Sequence, residues 1–94
     1  MGKQELINEI IKNTRIKKIT VETTIESLME IVRVSMTKNQ KIYLKGFGTF
    51  IVKKRAQKLG RNVKKNTIVI IPEHFVPVFK PSREFMARIK AKKV

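Results

Sequence analysis

Apolar residues recur at helical spacing through the first part of the chain and at alternating or continuous spacing after it. Leu6, Ile7, Ile10 and Ile11 share one face of a predicted helix over residues 2–13, with Gln4, Glu5, Asn8 and Lys12 opposite. Glu5 near its start and Lys12 near its end suit the helix dipole. Residues 13–15 read as the exit, and Ile16 anchors a short turn. A longer helix is predicted over residues 18–38, where Val21, Ile25, Leu28, Met29, Val32 and Met36 recur with a 3.6-residue period. Thr20 is a plausible N-cap, although it would leave Lys18 and Ile19 outside. Ile31 and Val34 widen the apolar surface beyond that stripe. Either they are scattered exposed residues, or the helix has more to bury than its own domain can cover, and a second copy covers it.

The periodicity then changes. Residues 39–40 make a turn, and residues 41–45 alternate, with Ile42 and Leu44 inward and Lys41, Tyr43 and Lys45 outward. Gly46-Phe47-Gly48 makes a reversal into a strand over residues 49–54, which carries Phe50 and Val52 on one face. Residues 67–71 form a continuous apolar run that needs cover near its base. Pro72 and Pro77 make the segment over residues 73–81 edge-like or bulged, while Val76, Val78 and Phe79 still serve the sheet and core. Ser82 caps a short final helix with Glu84 in its first turn and Phe85, Met86 and Ile89 as apolar contacts. Arg88, Lys90, Lys92 and Lys93 close the chain, the last two as a frayed terminus. The expected fold is α+β, one domain over residues 1–94, in the order α-α-β-β-β-α and without internal repeats.

Charge changes this picture most between the β segments. Lys53, Lys54, Arg55, Lys58, Arg61, Lys64 and Lys65 crowd one stretch, and no acid occurs between Glu30 and Glu73. So many unpaired charges cannot be core, yet β-forming residues bracket them. The simplest structure is a long basic β-hairpin arm over roughly residues 53–72, its base in a sheet and its outer part in solvent. Gly60-Arg61-Asn62 begins the arm tip and Asn66 closes it. The net charge of +15, from 22 Lys and Arg against 7 Asp and Glu, favours a polyanionic partner, and the clustering points to nucleic acid.

The remaining chemistry is sparse. With no cysteine and no ligand cluster, neither disulfides nor a structural metal can support so small a core, which again favours oligomerisation. No metal site, cofactor or catalytic site is expected: His74 is the lone histidine and has no triad or ligand partner in view. A nuclease would need a working acid, and the acids fall mostly on helix surfaces. No apolar run approaches a membrane span. Glu5 and Glu9 interrupt the first apolar residues, so no secretory signal is expected and the protein should remain in the cytoplasm. The residues leave duplex DNA and RNA both open, since counterion release does not distinguish them. The chain lacks an RRM-type aromatic motif or a KH-type GXXG loop.

The stretches KQELINEI, KGFGTFIVKKRAQKLGRN and IPEHFVPVFKP resemble the bacterial histone-like HU proteins and their relative, integration host factor. Both are type examples of minor-groove architectural binders. The resemblance runs from Lys3 to about Arg83. It implies an HU-like intertwined dimer, helices below and two β-arms above, that is nucleoid-associated and embraces duplex DNA along the minor groove, bending and compacting it. The partner copy is the chain itself or a paralogue. By resemblance Arg55, Lys58, Arg61 and Asn62 match arm positions that contact DNA, beside Lys53, Lys64 and Lys65, while Lys3, Lys80 and Arg83 match basic positions of the body. Gly46 and Gly48 fall where the family brings backbone close to the duplex. Phe47, Phe50 and Phe79 match the aromatic core between subunits, to which the helix residues Leu28 and Val32 are added.

One position departs from the family pattern. A proline commonly follows the GRN motif and wedges between base pairs; here that residue is Val63. Valine is apolar and compact enough to enter a base step. It lacks proline's fixed backbone angle, so the tip is expected to be less preorganised. Asn66 stands in place of a tip glycine and tolerates the left-handed conformation. Little in the arm discriminates base edges, so binding should be largely nonspecific. Kinked, nicked or flexible DNA should be preferred, because part of its deformation cost is already absent.

Overall fold

A computed structural model describes residues 1–92 of the chain. Lys92 lies past the last helix, and Lys93, the other residue of the basic terminus, lies outside the described residues. The elements are α1 (Lys3–Thr14), α2 (Lys18–Thr37), β1 (Ile42–Leu44), β2 (Gly48–Arg55), β3 (Lys58–Asn62), β4 (Thr67–Ile71), β5 (His74–Pro81) and α3 (Arg83–Lys90). They fall into two compact units, one ending at Val34 and the other beginning at Ser35.

In the first unit Gly2 is the extended N-cap of α1, and its backbone N–H lies 3.4 Å from Glu5 Oε1. The helix stops where Arg15 turns left-handed at φ 60°, donating its N–H to the Ile11 carbonyl at 2.8 Å. Thr14 Oγ1 assists, donating to the Ile10 carbonyl at 2.7 Å and accepting from Ile16 N at 3.2 Å. Helix α2 begins at Lys18, and Val21 N already donates to the Lys17 carbonyl at 3.1 Å. Thr20 therefore lies inside the helix and does not cap it. Among the described residues the fully buried apolar side chains are Ile7 and Val21 alone. The stripe along α2 is otherwise half-buried or open, with Leu28, Ile31 and Val34 exposed.

The second unit is built on an antiparallel sheet in the order β1-β2-β5. Its first reversal needs Gly46, which sits at φ 80°, and Phe47 N closes the turn onto the Leu44 carbonyl at 3.0 Å. Gly48 answers to packing instead. A Cβ there would lie 2.5 Å from the Lys80 carbonyl oxygen and 2.6 Å from the Phe79 ring. Strand β5 is an edge strand, the position that tolerates Pro77, which pairs with Val52. Phe47, Phe50, Phe79 and Phe85 form one tilted ring cluster, with centroids 5.1 Å apart for Phe47 and Phe79, 4.9 Å for Phe50 and Phe79, and 5.4 Å for Phe47 and Phe85. Ser82 Oγ accepts from Phe85 N at 3.1 Å, capping α3 and seating Phe85 in that cluster.

The hairpin does not continue as one sheet. Its ladder breaks at Ala56 and Gln57 opposite Pro72 and Glu73, and β3 and β4 resume as a separate two-stranded ribbon. The two long strands expected from sequence are thus each divided, giving five strands in place of three. Pro72 has no N–H to give the ladder, which explains the break at that point. The apolar run of β4 also finds little cover within its own chain: Ile68, Val69 and Ile70 are exposed, and only Ile71 is half-buried, against Gly60. A two-stranded ribbon has no second layer, so hydrophobic composition alone does not bury it.

Candidate nucleic-acid interface

Strand pairing sorts the side chains of the sheet by face, because cross-strand partners share a face and successive residues alternate. Gly48, Phe50, Val52 and Lys54 lie with Phe79, Pro77 and Phe75 on the aromatic face. Thr49, Ile51, Lys53 and Arg55 lie with Lys80, Val78, Val76 and His74 on the other, and Tyr43, the partner of Thr49, joins them. The basic residues Lys53, Arg55 and Lys80 therefore share one exposed surface, from Lys80 at one end to Arg55 about 20 Å along the strand. Lys54 points the other way and pairs with Glu73, Nζ to Oε1 at 3.0 Å.

Near Lys80 an open recess is lined by Gly48, Thr49, Lys80, Ser82 and Arg83, among others. Three residues singled out from sequence, Gly48, Lys80 and Arg83, are brought together there. Arg83 opens α3, directly after the Ser82 cap, and is exposed. Lys3 belongs to the first unit, where its ammonium is hydrogen-bonded to the Glu26 carboxylate. That bond, with the positive charge behind it, holds the Glu26 carboxyl below its ordinary range.

In the ribbon, Lys58, Gly60 and Asn62 share a face with Ile71, Val69 and Thr67, and Leu59 and Arg61 share the other with Ile70 and Ile68. Strand β3 reaches Asn62, so Gly60, Arg61 and Asn62 belong to the ribbon, and the tip begins three residues later than expected and comprises residues 63–66. Val63, Lys64 and Lys65 are all exposed in it, Val63 at 87%. The tip carries side-chain hydrogen bonds from both Asn62 and Asn66. Asn62 Oδ1 accepts from Lys64 N at 3.1 Å and from Lys65 N at 3.3 Å. Asn66 adopts φ 51°, and its Oδ1 accepts from Arg61 Nη2 at 3.0 Å.

Sequence reasoning missed Phe85 as a member of the ring cluster, the Lys54–Glu73 and Lys3–Glu26 pairs, and the hydrogen bonds of the two tip asparagines. The asparagines carried a legible signal, since Asn and Asp side chains bond their own backbone in turns. The ion pairs carried none, because partners so distant in sequence meet only through the fold. Among the described residues no group of His and acidic side chains could hold a metal ion, and no helix is long and apolar enough to cross a membrane.

Comparison with known proteins agrees with this geometry. The chain is 36% identical over 89 residues to the DNA-binding protein HU of Clostridium pasteurianum, covering 95% of this chain and 98% of that one. It is 37% identical over 90 residues to the integration host factor subunit beta of Marinobacter nauticus, covering 95% and 92%. Among solved structures, HU in the Anabaena HU–DNA cocrystal superposes with a TM-score of 0.89 at 26% identity, covering 98% of this chain and 100% of that one. The family model for bacterial DNA-binding proteins matches residues 1–90, and the chain belongs to that family, the family of HU and integration host factor.

Proposed function

We propose that this protein is an architectural, histone-like DNA-binding protein, acting as a dimer that binds duplex DNA through the minor groove, bends it and compacts it. The observation that carries this reading is the run of exposed cations along the hairpin from sheet to tip. Lys53, Arg55 and Lys80 occupy one face of the sheet, and the same hairpin runs on into a ribbon bearing Lys58, Arg61, Lys64 and Lys65. Such a surface follows a line of phosphates and releases condensed counterions. Arg83 and Gly48 border the recess at the body end of that line, and Lys3 is the body cation of the first unit. Gly46 admits the close turn at the sheet edge.

The tip supplies bending. Val63 stands exposed between Asn62 and the closing turn, where an apolar side chain can enter a base step. Unstacking costs about a few kcal/mol per step, offset by the phosphate contacts that bent DNA then permits. The interface offers little to read base edges, so specificity is low. The whole of residues 1–94 serves as one DNA-binding domain, without catalytic activity or cofactor, located with the nucleoid in the cytoplasm. A second copy, identical or a paralogue, covers Phe47, Phe50, Phe79, Leu28 and Val32.

Affinity measured against salt on an intact and a nicked duplex of one sequence tests this reading. A steep negative slope with tighter binding to the nicked duplex is expected. Equal affinities would remove bending, and preference for RNA of equal length would remove DNA as the target.

A further inference from the structure

The tip of the ribbon poses a physical question. Its apolar residue, Val63, carries no ring to fix its backbone, and at 87% exposure it has almost nothing to lean on. A flexible tip would lose conformational freedom on entering DNA. Yet the residues on either side are already committed. The Asn62 side chain folds forward over the turn, and its Oδ1 gathers the backbone N–H groups of Lys64 and Lys65. That is the bond pattern by which an asparagine fixes a turn without help from the rest of the fold. Val63 lies in sequence between the acceptor and its donors, and its side chain is left to solvent.

The far side of the turn is held separately. Asn66 takes the left-handed conformation at φ 51°, which side chains other than glycine and asparagine resist. From there its Oδ1 receives Arg61 Nη2 across the mouth of the ribbon. Arg61 and Asn66 each precede one of the ribbon's last paired residues, Asn62 and Thr67, so this bond ties β3 to the last residue of the turn. The turn is therefore closed twice, once by each asparagine.

We propose that Asn62 and Asn66 are positioning residues that hold Val63 as a preformed wedge for a DNA base step, doing with side-chain hydrogen bonds what a rigid ring would do. The proposal rests on the reading that Val63 enters DNA. It assigns Asn62 a role through Val63, apart from any contact it makes itself, and it makes Arg61 part of the tip frame as well as a cation.

The test uses the full-length protein and a duplex carrying 2-aminopurine beside a single T·T mismatch. Fluorescence at saturating protein reports unstacking at the wedge step. Val63→Ala is expected to abolish the increase, and Asn62→Ala and Asn66→Ala to reduce it at least threefold. Asn62→Asp keeps an Oδ acceptor for Lys64 and Lys65 and should restore most of the signal, although its charge weakens overall affinity. Asn66→Gly keeps the backbone conformation while losing the Arg61 bond, and should fall between Asn66→Ala and the wild type. Unstacking by Asn62→Ala and Asn66→Ala equal to the wild type, with Val63→Ala still defective, overturns the positioning role and leaves the wedge reading standing. Full unstacking by Val63→Ala removes both. An Asn62→Asp signal as low as that of Asn62→Ala would assign Asn62 to direct contact through its amide donors and overturn its positioning role.

Discussion

Lys54 reaches across the hairpin to Glu73, Nζ to Oε1 at 3.0 Å, while its neighbour Lys53 points out of the opposite face of the sheet. The pair spans the point where the ladder breaks, one residue inside the end of β2 and one before the start of β5. Two adjacent lysines in one basic run thus do different work. One faces the surface of Arg55 and Lys80, and the other secures the base of the ribbon.

This separation predicts unequal effects on DNA binding. Lys53→Ala should remove one phosphate contact and reduce the magnitude of the log K against log salt slope by about 0.9. Lys54→Ala should leave that slope unchanged. Both side chains of the Lys54–Glu73 pair are more than half exposed, so the pair is worth at most about 1 kcal/mol and the folded state should survive its loss. Filter binding or fluorescence anisotropy over a salt series measures both slopes. Equal reductions would mean that the alternation of faces does not govern contact.

Gly48 supports a sharper prediction on stability. Its missing side chain leaves room for the Lys80 carbonyl and the Phe79 ring, and a Cβ would intrude on both. The carbonyl belongs to a paired strand and cannot swing aside as a flexible side chain would. Gly48→Ala should therefore cost about 1–3 kcal/mol, as overpacking does. Gly46→Ala should also destabilise, through its φ of 80°, although nothing lies within 4 Å of the added carbon. Thermal melts followed by circular dichroism separate these variants from the wild type.

The elements most legible in the sequence are those whose cause is local. Helices α1 and α2 follow from period, the Ser82 cap from residue type, and the edge position of β5 from Pro77. The face carrying Phe50 and Val52 follows from simple alternation. The interruption of the hairpin was less legible. Pro72 announced a weakness, but the matching gap at Ala56 and Gln57 exists only because the opposite strand imposes it. Exposure of Ile68 and Ile70 also ran against their composition, since burial depends on whether a second layer exists. At the tip, removing proline removes one constraint, and side-chain bonds from Asn62 and Asn66 supply others.

Glu26 leads to a pH prediction. The hydrogen bond and charge of Lys3 lower its carboxyl in the folded state relative to the unfolded chain. A depressed carboxylate binds fewer protons when folded, so its contribution is present above the ordinary Glu range and lost as pH falls through the lower folded value. Acid unfolding followed by helical ellipticity should therefore begin at higher pH in Glu26→Gln than in the wild type. Above pH 6 the contribution is fully present, so Glu26→Gln should be slightly less stable than the wild type there, by a small margin because both partners are exposed. The difference should vanish once Glu26 is protonated. Identical acid transitions would show that the Lys3 pair does not act on folding.

Helix α2 carries the last prediction. Leu28 is 47% exposed, Ile31 57% and Val34 43%, at three-residue spacing on one side of the helix. The chain's fully buried apolar side chains among the described residues are Ile7 and Val21, far fewer than a folded domain of this length needs on its own. Stability must then come from association, and mass action makes that visible. Each tenfold rise in protein concentration should add about 1.4 kcal/mol to the folded dimer and raise Tm by roughly 3–6 °C. Ile31→Glu places a charge within this face, where it would have to be desolvated without a partner. It should lower the two-chain mass seen by sedimentation equilibrium and bring Tm down with it. A Tm independent of concentration, with the mass of a single chain, would mean that the exposed face of α2 is no interface and that the chain folds alone.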